Sequence, residues 1–255
     1  MVFTPVVKVR NQKQRANANR KAAEREVKIA ENAARKAKKK LRNVKSSAPE
    51  MTADELTKVE KRSIKEGHRQ RILDAVKKGA ICVEIGVWRG NFSSMILETV
   101  KPLNLALVDP WQKFKTDDQS EAFAGQIETD RIEEIYESVQ EKFSNQIENG
   151  QVTIMREFST TAIAQYSNDT IDFAYIDGDH SYDGVKADLN NILPKMKEEG
   201  IIALDDYHRF GWWGDDVLRA IHDFIGENPT TVRIFMVEGA QFALTKLGPM
   251  ENADT

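Results

Sequence analysis

A single cysteine, Cys82, and four histidines stand in 255 residues. One thiol cannot form an intrachain disulfide, so a disulfide scaffold is excluded and a reducing, cytoplasmic location is expected. The same scarcity leaves too few soft ligands for a structural zinc site. No apolar run approaches the ~20 residues of a membrane helix, so no membrane partner is expected. The opening stretch MVFTPVVKVR lacks the apolar core of a secretory signal. No repeat with a period of roughly 20–50 residues recurs.

What is present is a charge split. The formal net charge of −3 averages two unlike parts. Residues 1–47 carry fifteen Lys and Arg against three Asp and Glu, a net +12, and the remainder carries −15. Residues 11–45 contain no Gly or Pro and are rich in Ala, Lys and Arg, with Val27, Ile29, Leu41 and Val44 as the larger apolar residues. Helix propensity there is high, but so few apolar groups cannot build a core. The expected organisation is a basic extension over 1–50, helical or disordered, with a linker at Ser46–Pro49. A domain over 51–250 and a short tail over 251–255 follow. The extension could bind a polyanion by phosphate neutralisation, so nucleic acid is a partner only through residues 1–47. It has no aromatic except Phe3, which argues against base stacking. A solubilising or assembly helix is the other reading, and a homo-oligomer is left open.

The body alternates strand and helix patterns. Thr52 to Glu55 fits a capping box opening a helix to about residue 78. Strand patterns follow at 81–86, 103–109, 151–156, 171–177 and 200–205. Helical patterns lie at 92–100, 126–147, 159–165, 182–192 and 215–226. The last two strands, 232–238 and 241–246, are separated by a turn too short for anything but an antiparallel hairpin. Alternation of this kind predicts an α/β fold, a parallel sheet with helices on both faces.

Chemistry-bearing residues gather at the ends of those strands. Gly86 and Gly90, in VEIGVWRGNF, would let a ligand approach the backbone at a helix start. Their spacing is not a dinucleotide fingerprint, and an ordinary tight turn reads equally well. Asp109 follows the second strand, where an acidic residue bonds ribose hydroxyls in doubly wound folds. Asp177-Gly178-Asp179-His180 follows the fourth strand, and Asp205-Asp206-Tyr207-His208 the fifth. If those strands are neighbours, Asp177, Asp205 and Asp206 meet, and such a cluster is costly unless a cation sits in it. Hard oxygen ligands suit Mg²⁺, Mn²⁺ or Ca²⁺. The alternative is solvated turn residues and caps, with Ser181 or Asp183 capping the next helix.

Taken together, VEIGVWRGNFS, LALVDPW, IDFAYIDGDHSYDGVKADL, GIIALDDYH and the closing hairpin resemble class I S-adenosylmethionine-dependent methyltransferases. The closer resemblance is to the metal-dependent O-methyltransferase branch, which includes macrocin-type sugar O-methyltransferases and, more distantly, catechol O-methyltransferase. It covers about residues 65–246 and leaves the basic extension outside. It implies a Rossmann-like seven-stranded sheet of order 3-2-1-4-5-7-6 with the seventh strand antiparallel. It implies S-adenosyl-L-methionine as cofactor, with Glu84, Gly86 and Gly90 around its methionine part. Asp109 would lie on the ribose, Ser159 near the adenine, and Asp177 beside the cofactor as well. The implied ligands of a divalent metal, Mg²⁺ foremost, are Asp177, Asp205 and Asp206. The implied base is His180 or Asp179; His180 is favoured because an imidazole of pKa about 6.5 suits proton removal at neutral pH. The usual middle glycine of the cofactor loop is replaced by Val87-Trp88-Arg89.

The expected function is methyl transfer to a hydroxyl of a small sugar-like or phenolic acceptor. Trp111, Phe114, Phe123 and Phe210–Gly214 are candidates for an acceptor wall or for loop packing. The competing expectation is a methyltransferase-fold protein whose basic arm binds nucleic acid or an acidic partner, with catalysis secondary or directed at nucleic acid.

Overall fold

A computed structural model describes residues 53–112 and 129–248. The basic extension, its linker, Thr52, Phe114, Phe123 and the tail lie outside the described residues. The chain divides at Lys58/Val59 into two units, and the second holds the sheet and the residues of the site.

Seven strands form one sheet of order β3-β2-β1-β4-β5-β7-β6. They are β1 (Ile81–Ile85), β2 (Asn104–Val108), β3 (Val152–Met155), β4 (Ile171–Ile176), β5 (Met196–Leu204), β6 (Val232–Glu238) and β7 (Gln241–Lys246). The first five are parallel, and β7 pairs antiparallel with both β5 and β6. The Rossmann-like order expected from the resemblance is therefore the observed one. The helices are α1 (Ala53–Asp74), α2 (Asn91–Val100), α3 (Thr129–Lys142), α4 (Ser144–Glu148), α5 (Ser159–Ala164), α6 (Tyr182–Ile192) and α7 (Asp216–Glu227). Among the described residues no helix is long and apolar enough to cross a membrane.

Both faces of the sheet are covered, which is why its central strands read as continuous apolar runs. Alternate residues point to opposite sides. Ala174, Ile176, Ile202 and Leu204 pack under Ile163, Val185, Leu189, Ile221 and Phe224, from α5, α6 and α7. Phe173, Tyr175 and Ala203 face the other way, with Ile72 and Leu73 of α1, Phe92 and Ile96 of α2, and Ile132, Ile135 and Val139 of α3. In α7 the buried residues Val217, Ala220, Ile221 and Phe224 recur at one-turn spacing, the stripe of a helix lying on a sheet. Helix α6 begins where Ser181 accepts a hydrogen bond from the Gly184 N–H at 3.1 Å.

Three boundaries differ from the sequence reading. Helix α1 stops at Asp74, its last turn tightened by Ala75 and Val76 bonding back three residues. Lys77 then turns to pair with Asp172 at 2.7 Å. The helix expected over 126–147 is broken at Phe143, which is buried. Strand β5 starts at Met196; Lys197, Glu198 and Glu199 are polar strand residues on the exposed lower part, and a register shift between Ile171 and Phe173 accommodates them.

Phe224 is fully buried. Phe224→Ala is expected to cost about 3–5 kcal/mol, read as a lower midpoint in urea unfolding with little change in m.

Candidate functional site

The parallel register brings four strand ends level. Ile85 pairs with Val108 on one side and Ile176 on the other, and Ile176 pairs with Leu204. The next residue of each strand is therefore Gly86, Asp109, Asp177 or Asp205. The ladder runs one step further through them: Gly86 N–H donates to Val108 O, Asp177 N–H to Ile85 O, and Asp205 N–H to Ile176 O, at 2.9, 2.8 and 3.1 Å. This row lies at the carboxyl edge of the sheet, where open α/β folds bind ligands.

Gly86 is held against Asp177. A Cβ on Gly86 would lie 2.0 Å from the Asp177 carbonyl oxygen, and its φ of +83° is left-handed. No other residue fits that crossing. Asp109 organises the same turn. Its Oδ2 accepts from the N–H groups of Val87 at 3.0 Å and Trp88 at 2.9 Å, and its Oδ1 from Trp111 at 2.8 Å. Trp88 and Trp111 have positive φ, at 53° and 40°, so these bonds hold residues in an uncommon conformation. A carboxylate has about four acceptor positions, so one remains for a ligand hydroxyl. Glu84 lies beneath the turn, 2% exposed, with Ser93 Oγ–H donating to its Oε2 at 2.5 Å. Burial pushes its carboxyl from 4.5 up to about 8. Ser159 Oγ donates to Asp188 Oδ1 at 2.5 Å, and burial raises Asp188 to about 6. Ser159 is thus fastened to α6.

The acidic residues of β4 and β5 do meet, and the cations among them come from the protein itself. Arg69 of α1 bridges Asp177 Oδ2, at 3.1 Å, and Asp205 Oδ2. Lys65, one turn earlier, bridges Asp205 Oδ2 at 2.7 Å and Asp206 Oδ1 at 3.5 Å. His180 Nε2 lies 3.0 Å from Asp206 Oδ2 and 3.6 Å from Asp177 Oδ1. The six groups form a closed ring: Asp177, Arg69, Asp205, Lys65, Asp206, His180. Signs alternate around it.

The electrostatics follow from that order. Burial works against a charge on His180, but the carboxylates of Asp177 and Asp206 outweigh it and raise the imidazole to about 10. It is protonated at neutral pH, and the ring holds three charges of each sign. Burial raises Asp177, helped by Asp205. Burial also opposes ionised Asp205, but Arg69 and Lys65 prevail and lower it. Asp205 is held further by Gln241 Nε2–H at 2.5 Å and by the Asp206 N–H at 2.8 Å. Gln241 in turn accepts from the buried Tyr175 hydroxyl at 2.9 Å.

The two candidate bases are separated. His180 is in the ring. Asp179 is exposed, its Oδ1 accepting from the Ser181 N–H at 2.9 Å in its own turn. Asp177, His180 and Asp206 each offer one ligand atom, and these lie within 4.8 Å of one another. The ring centroids of Trp213 and Trp212 are 4.6 and 6.1 Å from that of His180, forming an aromatic flank with Trp212 half exposed. Trp111 is buried, with its indole N–H on the Trp88 carbonyl at 3.0 Å; it packs rather than lines a pocket. Cys82 is a buried small residue inside β1. The sequence reading missed Lys65, Arg69 and Gln241. The Lys-x-x-x-Arg spacing does put both cations on one helix face, but nothing local says what that face meets.

A family model described as a methyltransferase domain matches residues 83–207, just under half of the chain. An uncharacterised protein of Sinorhizobium fredii is 28% identical over 139 residues, which are 51% of this chain and 14% of that protein. An uncharacterised protein of Acanthamoeba polyphaga mimivirus is 28% identical over 149 residues, 57% of this chain and 59% of that protein. The chain thus spans less than two thirds of either curated relative. The solved structure of the O-methyltransferase NovP superposes with a TM-score of 0.50 at 20% identity, covering 72% of this chain and 79% of that one.

Two predictions arise from the turn. Gly86→Ala drives a methyl group into the Asp177 carbonyl and is expected to lower the melting temperature by ~5 °C or more. Glu84 keeps a proton on folding that the unfolded chain has already released. Its contribution to stability is therefore full below pH 4.5 and is lost as pH rises through about 8. Glu84→Gln removes that loss. The melting difference, variant minus wild type, should be at least ~2 °C more positive at pH 9 than at pH 5.

Proposed function

We propose that the protein is an S-adenosylmethionine-dependent methyltransferase that methylates a hydroxyl of a small sugar-like or phenolic acceptor with the help of a divalent cation, a reading supported by the methyltransferase-domain model that matches residues 83–207. The observation that carries this reading is the row of Gly86, Asp109, Asp177 and Asp205 with Asp206 and His180 beside it. The glycine turn and the acidic ring share one edge, with Gly86 in contact with Asp177.

In this reading the half of the row at β1 and β2 takes the cofactor. Its methionine part would lie on the turn from Gly86 to Gly90, whose missing side chains let the Asp177 carbonyl and the Phe143 ring pack against the backbone, with Glu84 beneath. The free acceptor position of Asp109 takes a ribose hydroxyl, and Ser159 stands on the adenine side. The half at β4 and β5 takes the acceptor. A bound S-adenosylmethionine would supply the methyl group, which would pass from its sulfur to the acceptor's hydroxyl oxygen and leave S-adenosylhomocysteine. The hydroxyl proton passes to His180, with Asp179 as the alternative taker. A protonated His180 cannot act as a base. Added positive charge beside the ring would weaken its hold on that proton.

The donor chemistry fits a divalent cation. Three carboxylates converge, and a cation, the Lys65 ammonium, already stands between two of them. Asp177, Asp205 and Asp206 would hold Mg²⁺, or Mn²⁺ or Ca²⁺, and such an ion would lower the pKa of the bound hydroxyl. Trp212 and Trp213 would flank the acceptor ring.

The test is transfer of labelled methyl from S-adenosylmethionine to a panel of catechols, hydroxylated glycosides, RNA and DNA, with Mg²⁺ or with excess EDTA. Transfer to a catechol or glycoside in Mg²⁺ is expected, with at least a ~100-fold loss in Asp206→Asn. S-adenosylhomocysteine binding should be retained. Full transfer in excess EDTA would remove the metal from the account, and label on nucleic acid alone would replace it with the competing reading.

A further inference from the structure

The ring contains two cations from one helix face, and they are not equivalent. Arg69 is fixed. Its side chain is 14% exposed, its guanidinium bridges two carboxylates, and its Cζ lies 4.9 Å from the centroid of Phe92 and 5.4 Å from that of Tyr175. Lys65 is not fixed in this way. Its side chain is 40% exposed, it meets no aromatic face among the described contacts, and its Nζ is close to Asp205 but 3.5 Å from Asp206. Beside the ring members, His208 lies at that corner, its Nε2 3.5 Å from Asp206 Oδ1.

We infer that Lys65 is a built-in placeholder for the divalent cation: its ammonium occupies the gap between Asp205 and Asp206, and the ion enters by displacing it while Arg69 stays. This rests on the metal-assisted reading above. A strongly hydrated ammonium on a flexible stem is suited to such a role, whereas a planar guanidinium locked by two carboxylates and two rings is not. The carboxylates are then never left to repel one another. Before the ion enters, Lys65 balances them; when it enters, Lys65 swings to solvent and the ion takes over two of its contacts. The consequence is a weakened affinity, because the ion must compete with a tethered charge of the same sign.

Binding of Mn²⁺ alone to the full chain, followed by the electron paramagnetic resonance signal of free Mn²⁺, reads this without reference to turnover. Lys65→Met and Lys65→Gln remove the charge and keep a good helix former, and thermal melts are used to check that each folds. Both are expected to bind Mn²⁺ roughly tenfold more tightly than wild type, about the effect of one partly exposed unit charge. Lys61→Met, exposed on the same helix, should match wild type, and Asp206→Asn should abolish binding. A melting change in both Lys65 variants with unchanged or weaker Mn²⁺ affinity, while Asp206→Asn still abolishes binding, would make Lys65 a structural ion-pair residue and overturn the proposal alone. Absence of Asp206-dependent Mn²⁺ binding in every variant would overturn the metal-assisted reading and this inference with it.

Discussion

The arrangement on which the rest depends is the alternating ring of Asp177, Arg69, Asp205, Lys65, Asp206 and His180. Three carboxylates brought level at a buried strand edge would repel one another and be driven to protonate. Each instead has a cation on either side within ion-pair distance. That requirement reaches outward. Helix α1 must lie on the Tyr175 face so that Lys65 and Arg69, one turn apart, arrive together. The β6–β7 turn must return close enough for Gln241 to bond Asp205. There Gly239 leaves space that His68 fills, since a Cβ would stand 2.1 Å from its Nδ1. The removal of one member would leave each of its two neighbours with one partner instead of two and a net charge at a partly buried edge.

The same edge divides its labour. At β1 and β2 the groups are backbone and acceptor: a glycine turn held by Asp109, with Glu84 neutral beneath it at neutral pH. At β4 and β5 they are charged and balanced. In the proposed reaction a cationic cofactor and a hydroxylated acceptor would use these two environments side by side. Gly86 is the joint between them, since its missing side chain lets the first half touch the Asp177 carbonyl of the second.

Much of this was legible in the chain. Strand and helix alternation, with the short hairpin at its end, pointed to the α/β sheet because burial on both faces gives continuous apolar strands. The positions of Asp109, Asp177, Asp205 and Asp206 followed from counting to the strand ends. What the sequence did not disclose were the partners. Lys65 and Arg69 sit in a strongly charged helix where many basic residues look alike. Gln241 is an amide in a strand whose neighbour across the sheet is thirty-six residues away. The sequence argument that clustered carboxylates require a cation was sound, but it did not foresee protein cations among them. The start of β5 was hidden because its polar residues are on an exposed stretch, so burial left no pattern there.

The protonation of His180 tests the ring most directly. Nitrogen-15 spectra of the imidazole in the full chain at pH 8 distinguish imidazolium from neutral tautomers. An unpaired histidine of pKa about 6.5 is almost wholly neutral at that pH. The account predicts that His180 is still charged, and that Asp206→Asn lowers its pKa. A neutral His180 at pH 8 in the wild-type chain would contradict the balanced ring and the account built on it.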